Sequence, residues 1–438
     1  MTFQMKPLIL LIIAISGVVR ANDVLDALEG KKKSSEIYVP AAAGSPATDD
    51  RGALIYPDIT FPPSRLDDIW ARSVVYENEA NPWIQRMAIT AYFDQQAAFG
   101  EAEVDRVGLV PEKSVDLDGT RTRRARLGAR IQAFRNTDIE ANYEFAGDSG
   151  HQGIERIKVR TEILPNTTVT FGKFRPDFGT EYTIEPEDSL YPDRSMLMNM
   201  IAPDTTLGVQ VGYSYRDWDF GLGWFSGDSN KDIPGIEGEG SLLLNFKRTL
   251  VEKSGASLSR VAWHFDYLHN FDGARSDTVP RFSVAGTRSA NGNQLVTRNP
   301  LFHDLVSTGI VLDQGRFSFM GDFMIAKGDS AAYGVTLAPS YWAIPGRLNI
   351  VGRYHYAVSD DAGGLITTMG TSSDPSFDNS PFFIGDEYSS FYLGANVHLY
   401  RDQIILMGGL EYGLLTDEQG ANFNTEAWIW HAGAKISF

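Results

Sequence analysis

The sequence predicts an all-β protein, a transmembrane antiparallel β-barrel of about sixteen strands. Three observations carry this. Apolar and polar residues alternate with period two through most of the chain, short and long connections follow one another by turns, and no stretch is apolar enough to span a membrane as a helix. In lipid every backbone polar group needs a partner within the protein, so a chain that crosses without helices must close its sheet.

The N-terminus reads as a secretory signal over residues 1–21. A weakly basic start ends at Lys6, an apolar run covers Pro7–Val19, and small residues surround a cleavage point after Ala21. At 13 residues that run is shorter than the ~20 a spanning helix needs. Residues 22–81 read as a periplasmic extension, flexible around Lys31–Ser35 and Pro40–Gly52, with one short helix predicted over 65–72. Ser64 would cap it, and Leu66, Ile69 and Trp70 share one face.

The barrel is predicted over 82–438. Met87, Ile89, Ala91 and Phe93 alternate with Arg86, Thr90, Tyr92 and Asp94, and Phe391, Leu393, Ala395, Val397 and Leu399 repeat the pattern near the other end. Strands are expected at 84–99, 120–135, 138–147, 153–164, 167–174, 206–216, 218–227 and 240–250. The second half follows at 258–270, 305–312, 315–327, 332–343, 346–358, 387–400, 403–414 and 425–438. Tight turns at Asn136-Thr137, Pro165-Asn166, Asp217, Gln314, Pro345 and Arg401-Asp402 alternate with long links at 175–205, 271–304 and 359–386. With both termini periplasmic, every short turn would lie on the periplasmic side. The final strand puts Trp428, Trp430, Ala432, Ala434, Ile436 and Phe438 on one face, against His431, Gly433, Lys435 and Ser437. That ending resembles the C-terminal signal of bacterial outer-membrane barrels, in which the terminal aromatic residue, here Phe438, is read by the barrel-assembly machinery.

Composition excludes several classes. A formal charge of -17 argues against nucleic acid, and zero cysteine excludes disulfides and thiolate chemistry. The seven histidines form no metal-ligand spacing, and no Gly-x-Ser-x-Gly element or other catalytic constellation is legible, so neither cofactor, metal nor enzyme activity is expected.

In the strand at 120–135, Ala125, Leu127, Ala129, Ile131 and Ala133 make the apolar face, which turns Arg124, Arg126, Arg130 and Gln132 toward the lumen. In the strand at 153–164, Ile157, Val159 and Ile163 likewise turn Arg156, Lys158, Arg160 and Glu162 inward. A lipid-facing Arg or Lys at mid-membrane would cost about 2–4 kcal/mol, which sets the sense of both strands. Glu140, Asn142 and Glu144 lie between them. The charges could pair across strands and stiffen the wall. The alternative, favoured by six cations against three carboxylates, is a basic ladder that eases anions along the pore. Lumen-facing His264, His355 and His398 read as wetted polar side chains.

Arg123-Arg124-Ala125-Arg126-Leu127-Gly128, Tyr143-Glu144-Phe145-Ala146-Gly147 and Gly172-Lys173-Phe174-Arg175-Pro176-Asp177-Phe178-Gly179-Thr180-Glu181 together resemble the phosphate-selective porins O and P. Asp193-Arg194 stands where that family has Glu-Arg, and Leu207-Gly208-Val209 resembles its next strand. The resemblance implies a sixteen-stranded barrel, a homotrimer, and anion conduction past an inward-folded third loop. It makes Lys173, Arg175, Glu181, Asp193 and Arg194 the constriction residues. The family places lysines at the constriction, whereas residues 174–205 have none and are rich in Asp and Glu. An acidic loop facing a basic wall would give a transverse field.

The expected function is therefore passive diffusion of small hydrophilic anions, phosphate among them, through the outer membrane of a Gram-negative-type bacterium. The expected partners are outer-membrane lipid, the assembly machinery, two further copies of the chain and the small anions themselves. The alternative is a closed structural or adhesive barrel that binds through its long outer loops, with an outer-membrane enzyme third. Two outcomes check the assembly reading. Mass spectrometry of the mature protein should find Met1–Ala21 missing, and deleting Phe438 should lower the amount inserted in the outer membrane.

Overall fold

The computed structural model describes residues 66–438 apart from 107–109, 147–151, 204, 230–231, 234, 237–239, 253–259, 272–301, 329–330, 361–363, 369–381 and 418–422. The expected signal segment and most of the expected extension lie outside the described residues. Sixteen strands form the ring. The first eight are β1 (Ile84–Arg106), β2 (Gly119–Ala133), β3 (Thr137–Glu144), β4 (Gly153–Leu164), β5 (Thr167–Phe174), β6 (Thr206–Tyr215), β7 (Trp218–Ser229) and β8 (Ser241–Glu252). The others are β9 (Arg260–Asn270), β10 (Phe302–Gln314), β11 (Phe317–Gly328), β12 (Ala331–Ile344), β13 (Leu348–Ser359), β14 (Glu387–Tyr400), β15 (Ile404–Thr416) and β16 (Phe423–Ser437). Each pairs antiparallel with the next. β1 also pairs with β16, from Tyr92↔Ser437 to Arg106↔Phe423, and this closes the barrel.

All sixteen strands fall where alternation placed them, with shifted ends. The expected turn at Asn136-Thr137 lies at 134–136 instead, because Phe134 and Arg135 adopt φ of 53° and 66° and Thr137 already pairs with Ala133. Similarly, Gln314 pairs with Phe317, which leaves Gly315, at φ 58°, and Arg316 as the turn. The strict separation of short and long links does not hold. Only two residues separate β11 from β12 at the long-loop end, whereas seven separate β8 from β9 at the turn end. Four short strands were not expected: Val74–Glu77 on β1, Val110–Asp116 on β1, and the hairpin Leu365–Thr368 with Phe382–Gly385. A helix, α1, covers Asp67–Ala71.

The outer face is apolar, as lipid requires: Leu127, Phe171, Leu222, Phe391, Leu393, Leu399, Trp428 and Trp430 all stand exposed. The lumen departs from the expected polar lining. Toward the long-loop end nearly every strand turns a small or apolar residue inward, among them Ala98, Phe225, Leu243, Leu268, Leu305, Met324, Ala357, Leu415 and Ala427, all buried in one cluster. Period two fixes which residues face in, but not what fills the space. Leu393→Arg, on the outer face halfway along β14 and 61% exposed, should destabilise the folded barrel by about 2–4 kcal/mol. The shift of the thermal unfolding midpoint in detergent measures it.

Candidate functional site

The lumen wall of β2 contains a β-bulge. Asp94 pairs with Arg124 but Gln95 pairs with Thr122, so Arg123 is an extra residue and the side-chain sense reverses there. Arg121 and Arg123 therefore join Arg124 and Arg126 inside. Arg121 donates to Gln96 Oε1 at 3.0 Å and to Asp193 Oδ2 at 3.0 Å, and Arg123 makes a two-pronged ion pair with Asp193. Parity reading missed these two residues. The available signal was the run itself, since four arginines in six residues cannot alternate without leaving some in lipid.

Most of the expected ladder is paired. Arg126 reaches Glu144 at 2.7 Å and Glu155 at 2.9 Å, and Arg156 reaches Glu140 at 3.0 Å and Glu185 at 2.9 Å. Lys158 lies 3.1 Å from Glu140, and Arg160 stands opposite Asp138 in register. Two contacts are looser: Arg124 to Asp94 at 3.7 Å and Arg130 to Glu140 at 3.8 Å. The wall thus combines both readings, with mutual neutralisation dominating at Arg126 and Arg156.

Residues 175–205 carry two short helices, α2 (Thr180–Thr183) and α3 (Met196–Ile201), and are held from all sides of the ring. Tyr92 of β1 donates to the Pro186 carbonyl at 3.1 Å, and Lys435 of β16 donates to Pro186 and Ser189 at 3.0 and 2.7 Å. On the far wall Asp266 of β9 accepts the Gly179 N–H at 2.8 Å, and His264 meets the Thr180 hydroxyl at 2.9 Å. Asp322 of β11 accepts the Glu181 N–H at 3.0 Å. Asn396 of β14 donates to the Leu190 carbonyl at 2.9 Å. Gly179 permits the bend into α2. It sits at φ 71°, and a Cβ there would lie 2.5 Å from Met198 Cε.

The five constriction candidates separate in role. Asp193 ties the loop to Arg121 and Arg123. Arg175 lies 3.6 Å from Glu185, and the guanidinium groups of Arg175 and Arg194 both stack on Tyr182, at 4.6 and 4.7 Å. Glu181 is buried in the loop's own core, bonded to Ser195 and to Arg353 of β13 at 3.3 Å, so it is a staple and faces no open pore. Lys173 is buried in the wall and donates to the Ile154 carbonyl at 2.5 Å. Gly172 beside it sits at φ 123°, where a Cβ would lie 2.1 Å from the Ile157 carbonyl oxygen. The expected field between an acidic loop and a basic wall is replaced by contact, because Glu185 and Asp193 touch the arginines directly. The three lumen histidines are buried, contrary to the wetted reading. His264 is bonded to Thr180, and His355 accepts the Met196 N–H at 3.3 Å. Sequence reading also missed the staple Arg353, which donates to the Asp193 carbonyl at 2.6 Å. Among the described residues no group of three or more His, Asp or Glu side chains is placed to hold a metal ion.

Residues 101–237, which span the bulged wall and the loop, match the family described as phosphate-selective porin O and P. Over those residues the chain is similar to the porins O and P. Among solved structures, the outer membrane channel DcaP of Acinetobacter baumannii is 12% identical over 83% of this chain and 99% of that one, with a TM-score of 0.51. The anion-selective porin from Comamonas acidovorans is 11% identical over 80% and 99%, at 0.47. Pseudomonas putida OprB is 12% identical over 80% and 94%, at 0.48. The likeness to DcaP is one of fold. No curated protein matches the chain.

Docking of this loop has a definite sign with pH. Burial pushes the Glu181 carboxyl up despite Arg353 and Ser195. Burial would also raise Glu185 and Asp193, but Arg156 with Arg175, and Arg123 with Arg121, hold them well below the usual carboxylate range. A raised carboxyl favours the docked loop when protonated. A lowered one favours it when ionised, and that support is lost as pH falls through the docked value. Acidification should first tighten the loop through Glu181, and loosen it only below about pH 4, where free carboxyls already protonate. Open-channel current noise reads both steps, and Glu181→Gln should remove the first alone.

Proposed function

We propose that the protein is an outer-membrane diffusion channel for small hydrophilic anions, phosphate among them, without a tight phosphate site. The observation that carries this is the charge balance where wall and loop meet. Among the described residues, Arg121, Arg123, Arg124, Arg126, Arg130, Arg156, Lys158 and Arg175 meet the carboxylates Asp94, Glu140, Glu144, Glu155, Glu185 and Asp193 within 4 Å. Arg194 adds a further cation, with no ion pair among the described residues. Arg130 and Lys158 keep 35% and 30% of their side chains exposed, so the excess borders water. At an effective dielectric near 20, two charges ~4 Å apart interact by ~4 kcal/mol, enough for a surplus of this size to bias ion entry. The absence of lysine from 174–205 argues against a tight phosphate site.

The resemblance to porins O and P supports three further parts of the reading: a cleaved signal over 1–21, residence in the outer membrane of a Gram-negative-type bacterium, and a homotrimer with three-fold heterologous contacts. A second reading, a closed barrel that binds through its long loops, draws support from the apolar cluster in the lumen and from the loop's contacts around the ring.

Planar-bilayer recording separates the two. Stepwise ohmic conductance is the outcome for a channel, and silence is the outcome for a closed barrel. In a salt gradient the reversal potential should show a modest anion preference, and Arg124→Gln with Arg194→Gln should move it toward cations. Cation selectivity in the unaltered protein would mean that the acidic loop governs the pore. Native mass measurement in mild detergent should give a trimer, and a monomer at every concentration would remove that part.

A further inference from the structure

Residues 66–77 lie outside the ring yet touch both strands that close it. Trp70 Nε1 donates to the Ser437 carbonyl at 2.7 Å, and its ring stands edge-on to Phe438, with centroids 6.3 Å apart, and tilted on Tyr400 at 4.8 Å. Asp67 accepts the Tyr400 hydroxyl at 2.6 Å and pairs with Arg401 at 2.9 Å. On the β1 side the Ser73 carbonyl accepts the Ile89 N–H at 2.8 Å, and Val74–Glu77 pairs with Arg86–Ala88. Phe438 exchanges both backbone hydrogen bonds with Ala91, at 2.9 and 3.0 Å.

Geometry orders these contacts. The last strand ends at Phe438 opposite Ala91, so the first residues of β1 overhang the C-terminus and expose an edge. Val74–Glu77 covers that edge in line with β16, and an uncovered edge would be a template for unwanted pairing. The surface that receives Trp70 comes from the β14–β15 turn and the end of β16, while its neighbouring strand lies on β1. Trp70 and Ser437 are 367 positions apart, and such non-local closure is the slowest kind of contact to form. The composite surface therefore exists only after β1 has met β16.

We propose that residues 66–77 are a closure clasp, which seats only on the completed β1–β16 seam and then holds Phe438 against it. A clasp of this kind converts the last pairing event into a slow-opening state and leaves the conducting lumen untouched. It stands whether or not the barrel conducts.

The test uses the full mature chain, refolded from urea into liposomes, with folded and unfolded forms resolved on unheated gels. Trp70→Ala removes the indole hydrogen bond and both ring contacts, and Asp67→Asn removes the ion pair with little change of shape. For Trp70→Ala the folded form should unfold about tenfold faster, as the loss of one hydrogen bond and two ring contacts implies. Asp67→Asn should act in the same direction to a smaller extent. Folding rates should stay within about twofold, because contacts formed after the rate-limiting step act on unfolding alone. Unchanged unfolding in both variants overturns the clasp. Folding slowed as much as unfolding is hastened also overturns it, since the contact would then precede closure.

Discussion

The pairing of β1 with β16 is the constraint on which everything else in the molecule depends. A sheet in lipid has no water to satisfy its edge, so both edges must find each other, and they do so from Tyr92↔Ser437 to Arg106↔Phe423. Closing sixteen strands leaves a wide interior, wide enough for an aqueous channel unless something occupies it. Residues 175–205 and the inward apolar residues at the long-loop end are that occupant. The loop cannot be understood as a separate feature, because its backbone groups are satisfied by side chains of β1, β9, β11, β14 and β16.

The same confinement explains the acidity of the loop. An arginine inside a narrow lumen has lost much of its hydration, and leaving it without a counter-charge costs more than the pair gains. The bulge in β2 brings Arg121 and Arg123 inside with Arg124 and Arg126, more positive charge than Glu144 and Asp94 can balance. Asp193 and Glu185 arrive from the loop as the missing counter-charges, each bound by arginine. Acidic loop and basic wall are thus two halves of one network, and the excess that remains is small and lies on the wall.

Strand positions and sense were legible because lipid imposes period two so strictly that each apolar run names its own outer face. Phe391, Leu393 and Leu399 were placed outward from sequence and stand there. What alternation could not see was any departure from it. The extra residue at Arg123 reverses the sense for Arg121, and the left-handed Phe134 and Arg135 move a turn by two residues without any glycine or proline to announce it. Pairing across the lumen was hidden for another reason. Arg353 with Glu181 and Asp266 with Gly179 join residues far apart in sequence, and no local pattern encodes which far wall a loop will meet. The candidates Lys173 and Glu181 were marked by their motif, yet the backbone carbonyl of Ile154 and the buried Arg353 claim them.

The two sides of the lumen consequently differ in kind. Along β11 to β14 the inward side chains Asp322, Thr336, Asn349, Arg353, His355 and Asn396 are all buried, several of them bonded to the loop. Along β2 and β4, Arg130 and Lys158 keep their solvent contact below the point where Glu185 and Asp193 dock. A hydrated ion in such a barrel meets water and positive charge on one side only, and packed protein on the other. Under the proposed channel reading, selectivity would depend on a few side chains of one wall, and the acidic net charge of the whole chain would have little say. Charges beyond a Debye length of about 8–10 Å are largely screened, whereas those beside a confined path are not.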